Sequence, residues 1–274
     1  MANSWVINGD SCLSTREMNR KYFQIEYELD KGEVMRRIDQ QVKEGSAAYV
    51  CVADGVILNL ANQQSDYLKV INGSLFSVCD SSYVPIYLKW IYGLRVEQYC
   101  GTDLFRDIIT LRRYRMAFLG GSQDILDALK KKLTEDGLSN NDMLFMELPF
   151  RAVDGFDYEG IANQVNTFGA DIIWVSLGAP KQEQFMSRLT PHLQRGVAIA
   201  VGAAFKFYSG VGEKRAPQWM LRMHLEFVYR LFAAPRKQLR RCAGIIKTLP
   251  KLLWQEWRRK KHMKVEHESN ESNE

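Results

Sequence analysis

Three short stretches of this 274-residue chain combine small residues with polar side chains directly after an apolar run. They are LGGSQD (119–124), SLGAPKQE (176–183) and VGAAFKFYSG (201–210). Small residues let a ligand approach the backbone, and a helix starting there points free N–H groups and the positive end of its dipole at an anion. The stretches therefore suit a phosphate-binding site. Glycine at a strand-to-helix turn also occurs for steric reasons alone, so no single stretch decides the matter.

The apolar runs around these stretches predict the strands that position them. Strands are predicted at 48–53, 115–120, 143–148, 171–177 and 197–202. Amphipathic segments lie between them; in residues 122–137, Ile125, Leu126, Leu129 and Leu133 fall on one helical face. This alternation predicts an α/β fold with right-handed βαβ units, a mostly parallel sheet and helices on both faces. Ligands of such sheets bind beyond the carboxyl ends of the strands, where the three stretches lie.

Cofactor chemistry has little support in the sequence. The chain has neither a GxGxxG fingerprint after a strand nor a P-loop. Its five scattered cysteines form no CxxC pair, which argues against zinc or a disulfide framework and for a reducing cytoplasm. No secretory signal is evident, and the apolar runs are shorter than the roughly 20 residues that span a bilayer. We expect no cofactor and no metal.

Charge divides the chain into three predicted parts. Residues 1–213 form the core and carry a net charge of −4. Residues 214–264 hold 15 Lys and Arg against two acids, and residues 265–274 form an acidic tail that is predicted to be disordered. The basic segment is predicted to be helical, with breaks at Pro235 and Pro250. Its charge implies an anionic partner.

Two interpretations of the basic segment remain open. Interleaved Trp, Leu, Arg and Lys are typical of a helix that lies on an anionic bilayer surface. The same pattern also fits a solvated helix that packs its apolar face on the core. Nucleic acid is the weakest candidate partner, because no recognition module accompanies the charge, and we do not predict it.

Four motifs in the second half of the chain carry a family resemblance. They are VSLGAPKQEQF, AVGAAFKFYSG, KRAPQWM and LEFVYRLFAAPRKQLRR, and GTDLF (101–105) and FLGG (118–121) precede them in the same order. With these motifs the chain resembles the WecG/TagA/CpsF family of bacterial glycosyltransferases (glycosyltransferase family 26). The resemblance covers roughly residues 45–245 and is most specific over 174–241.

The resemblance implies an inverting glycosyltransferase with a Rossmann-like α/β core and a basic C-terminal helical appendage that reaches the membrane. Such enzymes transfer a sugar from a UDP-sugar to a saccharide on undecaprenyl diphosphate in cell-surface polysaccharide synthesis. The resemblance implies a cytoplasmic protein that is peripheral on the inner face of the membrane and can form homo-oligomers. Since the chain has no DxD carboxylate pair, the leaving diphosphate should be met by helix N-termini and cationic side chains rather than by a metal.

The resemblance also assigns candidate site residues. Asp80 is the predicted general base, with capping of the following helix as the alternative. The predicted substrate contacts are Asn59, Gln98, Asp103, Gly120, Gly178, Gln182, Glu183, Arg215, Arg222 and Arg230. For Asn59 the alternative is an ordinary turn residue, and for Asp103 it is the cap of a helix from Leu104. The three arginines are predicted to hold the acceptor's diphosphate, because guanidinium forks match phosphate oxygens.

Several positions depart from the family pattern. Ile57 stands where the family commonly has Thr, Cys79 and Ser81 flank Asp80 in place of Pro and Gly, and Gln98 replaces an arginine. These changes are predicted to line the donor pocket, which leaves open whether the donor sugar is N-acetylmannosamine, glucose or another hexose or N-acetylhexosamine. They also leave two other hypotheses: a catalytically inactive relative that binds a UDP-sugar or lipid, and an unrelated nucleotide-binding α/β protein with a basic partner-binding tail.

Overall fold

Parallel strands form one sheet through the centre of the molecule. The computed structural model describes residues 21–211 and 235–271. Its strands are β1 (Lys21–Tyr22), β2 (Ile25–Glu28), β3 (Ala47–Ala53), β4 (Phe76–Cys79), β5 (Met116–Leu119), β6 (Met143–Met146), β7 (Ile172–Val175) and β8 (Gly196–Ala200). They are ordered β1-β2-β4-β3-β8-β7-β5-β6, and every pair except β1–β2 is parallel. The predicted fold class is confirmed.

Helices cover both faces of this sheet. They are α1 (Lys31–Glu44), α2 (Gly55–Ala61), α3 (Ser65–Asn72), α4 (Val84–Tyr92), α5 (Gly101–Thr110), α6 (Gln123–Glu135), α7 (Tyr158–Phe168), α8 (Lys181–Leu189), α9 (Ala204–Ser209) and α10 (Pro235–Glu271). The first face packs against α2, α3, α4, α7, α8 and α10, and the second against α1, α5, α6 and α9. Because both faces are covered, the central strands β7 and β8 are wholly buried and apolar.

The connections that leave the sheet create a crevice at its carboxyl edge. From β3, β4 and β7 the chain passes to helices on the first face, whereas from β5 and β8 it passes to helices on the second face. Neighbouring strands in the order β3-β8-β7-β5 therefore send their loops to opposite sides. A gap opens where loops diverge in this way, and ligands of open α/β sheets bind there.

The C-terminal helix α10 corrects two expectations. Pro250 lies inside it and does not break it, and Pro235 is its first residue. Pro250 and Ile246 are both exposed, so the carbonyl that loses its helical partner lies on the solvent side, where water can satisfy it. The helix also continues through residues 265–271, which were predicted to be disordered. The predicted boundary between residues 213 and 214 lies outside the described residues.

A buried carboxylate fixes α10 to the core. Glu256 accepts hydrogen bonds from the backbone N–H of Phe23 (3.0 Å), the hydroxyl of Tyr92 (2.8 Å) and the guanidinium of Arg259 (2.8 Å). Lys260 donates to the carbonyl of Ile91, near the end of α4, at 2.6 Å. These contacts join α10 to α4 and to the turn between β1 and β2, so the helix packs on the core along one side.

Replacing Glu256 with alanine is expected to lower the free energy of unfolding by about 3 kcal/mol, because it leaves buried polar partners without an acceptor. Urea unfolding measures the loss, and limited proteolysis shows whether α10 becomes accessible. Gln255→Ala is the matched control: it changes the neighbouring exposed residue of the same helix and should shift stability by less than about 0.5 kcal/mol. Equal effects of the two substitutions would contradict a fixing role for Glu256.

Candidate active site

Two carboxylates follow neighbouring strands at the carboxyl edge of the sheet. Ala53 and Cys79, the last residues of β3 and β4, are register partners, and the N–H of Asp80 donates to the carbonyl of Ala53 at 3.1 Å. Asp54 and Asp80 therefore follow paired strand ends and are neighbours along the edge of the sheet. Asp54 also caps α2, because its Oδ1 accepts the N–H groups of Val56 and Ile57 at 2.9 and 3.0 Å. Sequence reasoning missed Asp54, although it directly follows a predicted strand.

The backbone around Asp80 is held by its neighbours. Gln98 donates its side-chain amide to the carbonyl of Asp80 at 2.6 Å. The hydroxyl of Ser81 accepts the N–H groups of Tyr83 and Val84 at 3.3 and 3.4 Å, at the start of α4. The Ser81 hydroxyl thus helps to cap the start of α4. The Gln98 side chain holds the backbone of Asp80 and leaves the carboxylate of Asp80 for other contacts.

Cys100 and Asp103 form a small polar cluster at the start of α5, close to Asp80. The Cys100 thiol donates to Asp103 at 2.7 Å, and the other oxygen of Asp103 pairs with Arg106 at 3.1 Å. Burial, the negative charge of Asp80 and the bond to Asp103 raise the pKa of Cys100 to about 11, so the thiol stays protonated at neutral pH. Since α5 begins at Gly101, Asp103 lies in its first turn rather than capping a helix from Leu104.

The glycines predicted to face a ligand differ in their surroundings. Gly120 has φ +98°, and a Cβ on it would lie 2.7 Å from the carbonyl oxygen of Ser176, so glycine is needed there to let the loops after β5 and β7 meet. Gly178 (φ +76°) and Gly202 (φ +52°) would place a Cβ in open space. These two glycines, after β7 and β8, border the crevice.

Gln182 ties these two loops together from inside. Its Oε1 accepts the N–H groups of Gly178 and Gly202 at 3.0 and 3.1 Å, and its Nε2 donates to Glu183 at 2.8 Å. Glu183 also accepts from the hydroxyl of Tyr67, on α3, at 3.1 Å. The exposed fractions of Gln182 and Glu183 are 4% and 0%. The side chains expected to contact the donor are buried and support the loops instead.

Two consequences follow from this buried network. The amides of Gly178 and Gly202 are directed at Gln182, so they do not form the outward-facing phosphate cradle that the sequence suggested. The pKa of Glu183 is raised to about 7: burial is the main cause and the charge of Asp54 adds to it, while the hydrogen bonds from Gln182 and Tyr67 oppose the rise. The carboxyl of Glu183 therefore changes ionisation near neutral pH.

Asn59 and Ile57 lie away from the strand end. Both are on α2, where Ile57 is buried in the core. The Asn59 Oδ1 accepts from Thr248 on α10 and from Gln63 at 2.9 Å. Asn59 thus joins α2 to α10 rather than lying at the turn after β3, and Asp54 takes that place. Ile57 does not line the crevice as predicted.

The predicted acceptor-binding arginines Arg215, Arg222 and Arg230 lie outside the described residues. Within residues 21–211 and 235–271, no group of three or more His, Cys, Asp or Glu side chains is arranged to hold a metal ion. The described part of the site therefore consists of the Asp54–Asp80 pair, the Gln98 and Cys100 side chains beside it, and the loops that Gln182 holds.

Comparison with known proteins decides the family. The sequence model of the "Glycosyl transferase WecG/TagA/CpsF family" matches residues 21–262, most of the chain. The chain belongs to this family. It is a glycosyltransferase by family, and the names of the relatives described next place their own acceptor on diphosphoundecaprenol.

Relatives from Bacillus and Staphylococcus resemble the chain over most of their length. An N-acetylglucosaminyldiphosphoundecaprenol N-acetyl-beta-D-mannosaminyltransferase of Bacillus subtilis (strain 168) is 26% identical over 207 residues, covering 72% of this chain and 75% of the relative. The protein of the same name from Staphylococcus aureus (strain NCTC 8325 / PS 47) is 21% identical over 188 residues, covering 66% and 70%. The family resemblance stated from the motifs is confirmed.

The departures from the WecG/TagA/CpsF pattern have structural roles in this chain. Cys79 is buried at the end of β4, Ser81 caps the start of α4, and Gln98 holds the backbone of Asp80. Each therefore supports the strand end that carries the Asp80 carboxylate. Among the described residues, none of the helices is both long and apolar enough to cross a membrane.

Proposed function

We propose that this protein is an inverting glycosyltransferase that moves a hexose or N-acetylhexosamine from a UDP-sugar to a saccharide on undecaprenyl diphosphate. The names of the relatives support the acceptor class. The observation that carries the proposal is the position of Asp80, which directly follows β4, next to the end of β3, at the carboxyl edge of the sheet. This is where a ligand of an open α/β sheet is expected.

Asp80 acts as general base in this proposal. Its carboxylate takes the proton of the acceptor hydroxyl while that oxygen bonds to the anomeric carbon of the donor from the face opposite UDP. The bond between the anomeric carbon and the diphosphate oxygen breaks, and UDP leaves with the electron pair. One displacement inverts the anomeric centre. The N–H of Asp80 donates to Ala53 and its carbonyl accepts from Gln98, and these two bonds hold the backbone that carries the carboxylate.

Cationic side chains are proposed to stabilise the leaving diphosphate without a metal. The chain has no DxD pair, and Arg215, Arg222 and Arg230 are the proposed phosphate-binding residues. The N–H groups of Gly178 and Gly202 face inward. These loops therefore offer space for the sugar nucleotide but no hydrogen bonds from these two N–H groups. Gly178 and Gly202 border the space where the sugar nucleotide is proposed to bind.

The outward side of α10 supports a location on the membrane surface. Ile246, Trp254 and Trp257 are exposed on it, while Leu252 and Glu256 on the opposite side are buried. Residues 235–262 contain ten Lys and Arg against a single acid, Glu256. The helix thus packs one face on the core and still exposes an apolar, aromatic and basic face, which suits an anionic bilayer surface. We propose the inner face of the cytoplasmic membrane.

A donor screen tests the proposed function. The full chain is incubated with N-acetylglucosaminyl-diphospho-lipid acceptor and, separately, UDP-N-acetylmannosamine, UDP-glucose and other UDP-hexoses and UDP-N-acetylhexosamines. Transfer from one donor, with the opposite anomeric configuration in the product, is the expected result. UDP-sugar binding without transfer would instead support an inactive relative. Absence of both would contradict the proposal.

A further inference from the structure

Helix α4 carries an apolar stripe that faces away from the core. Ile86 and Trp90 on the helix, and Tyr83 directly before it, have exposed fractions of 56%, 76% and 47%. They are spaced three and four residues apart, and Tyr83 has a helical backbone conformation, so the three side chains share one side. The opposite side, including Leu88, is buried in the core. A large tryptophan that is three-quarters exposed at the end of such a stripe points to a surface that contacts something.

The stripe lies on the same side of the molecule as the exposed face of α10. Leu88 of α4 and Leu252 of α10 belong to one core cluster on the first face of the sheet. Lys260 of α10 donates to the carbonyl of Ile91 in α4 at 2.6 Å, which places the helices in contact. Since both bury their inner sides against the same face, their outer sides are both directed away from the sheet.

The composition of this combined surface favours an anionic bilayer over a protein partner. The only charged residue of α4 is Lys89, and the charged residues exposed beside the tryptophans of α10 are also basic. Arg258 lies 4.7 Å from the ring centre of Trp254, and Lys261 lies 3.7 Å from that of Trp257. Tryptophan with flanking Lys and Arg is typical of membrane interfaces, whereas lysine is depleted in protein interfaces.

We propose that α4 is a second lipid-contacting element, and that Tyr83, Ile86 and Trp90 enter the bilayer interface together with the outer face of α10. The inference rests on the proposed function. It adds to the membrane contact of α10 a second contact, which the α/β core makes through α4. Tyr83 is three residues after Asp80, in the short connection between β4 and α4. Insertion of the stripe therefore brings the general base to the depth of the headgroups, where the diphosphate of a lipid-linked acceptor lies.

Vesicle binding tests the contact directly. The double variant Ile86→Ser/Trp90→Ser of the full chain is compared with unmodified protein on phosphatidylglycerol and phosphatidylcholine vesicles. Binding to the anionic vesicles is expected to weaken about tenfold or more, since two large apolar side chains no longer enter the interface. Leu111→Ser is the matched control, because Leu111 is an exposed apolar residue at the end of α5 on the other face of the sheet. It should bind as the unmodified protein does.

Kinetics and sedimentation separate the remaining outcomes. With a long-chain acceptor in vesicles, the double variant should show a raised KM, whereas with a short-chain water-soluble acceptor both proteins should have the same KM and kcat. Unchanged vesicle binding would overturn the proposal, as would sedimentation velocity showing that the stripe holds two copies together. If the unmodified protein transfers no sugar to either acceptor, the proposed function fails, while the vesicle result still judges the α4 contact.

Discussion

Replacing Asp80 with asparagine is expected to lower kcat by about 10²–10⁴-fold, the usual contribution of a positioned general base. Asparagine keeps the shape of the side chain but cannot accept the proton of the acceptor hydroxyl at neutral pH. Two hydrogen bonds that hold residue 80 use its backbone N–H and carbonyl, and asparagine keeps both of them. KM for the donor and the midpoint of thermal unfolding should therefore change little. Steady-state kinetics and a thermal melt measure both.

Asp54→Asn is the control that the structure supplies for this experiment. Asparagine is as good a helix cap as aspartate, so it can still accept the N–H groups of Val56 and Ile57. The substitution removes the neighbouring negative charge without disturbing α2, and we expect a loss of activity smaller than that of Asp80→Asn. A large loss at position 54 with activity retained at position 80 would reverse the assignment of the base.

The sheet could be predicted from the sequence because its central strands are buried between two layers of helices. The central strands β7 and β8 are buried on both faces and appear as continuous apolar runs, which separates them from the amphipathic helices between them. The short pair β1–β2 was not predicted, since two and four residues give too little pattern. Pro250 was wrongly predicted to break the helix. A helix tolerates an internal proline when the carbonyl that loses its partner faces solvent, and the sequence does not show which side of α10 does so.

The candidate site was predictable only in outline. A parallel sheet gathers the residues that follow its strands, and this placed the loops after β7 and β8 at one edge, whereas Asp80 was assigned through the family resemblance. The direction of a side chain is not a local property. Gln182 and Glu183 turn inward because the hydroxyl of Tyr67, 116 residues earlier than Glu183, and two loop amides provide their partners. Asp54 was missed because an Asp before a helix is normally only a cap. In the structure it caps α2 and is also a neighbour of Asp80 at the edge of the sheet.

Replacing Glu183 with glutamine is expected to stabilise the protein at pH 8 by about 3 kcal/mol. The pKa of Glu183 is about 7 in the folded protein, against an ordinary value of 4.5. Between these two values the unfolded chain has lost the proton that the folded protein keeps, so the free energy of unfolding falls as pH rises. Each pKa unit corresponds to about 1.4 kcal/mol. Glutamine is neutral at all these pH values and avoids this loss.

Urea unfolding at several pH values measures the effect. The difference between the variant and the unmodified protein should be smallest near pH 4.5, grow as pH rises and level off above pH 7. Glu159→Gln, on the exposed surface of α7, is the control and should show no comparable trend. A difference that stays constant between pH 4.5 and 8 would mean that Glu183 does not titrate as the burial of its carboxyl implies.

Activity of the same variant tells whether the buried charge serves catalysis. Glutamine at position 183 can accept from Gln182 and donate to Tyr67, so Gln182 can still hold Gly178 and Gly202. If Glu183 only supports the loops, Glu183→Gln gains stability and keeps kcat. Gln182→Ala, by contrast, leaves two loop amides without their acceptor and should lower activity. A stabilised Glu183→Gln variant that loses activity would show that transfer needs the ionised carboxylate, and that this chain retains a buried charge at a cost to its stability.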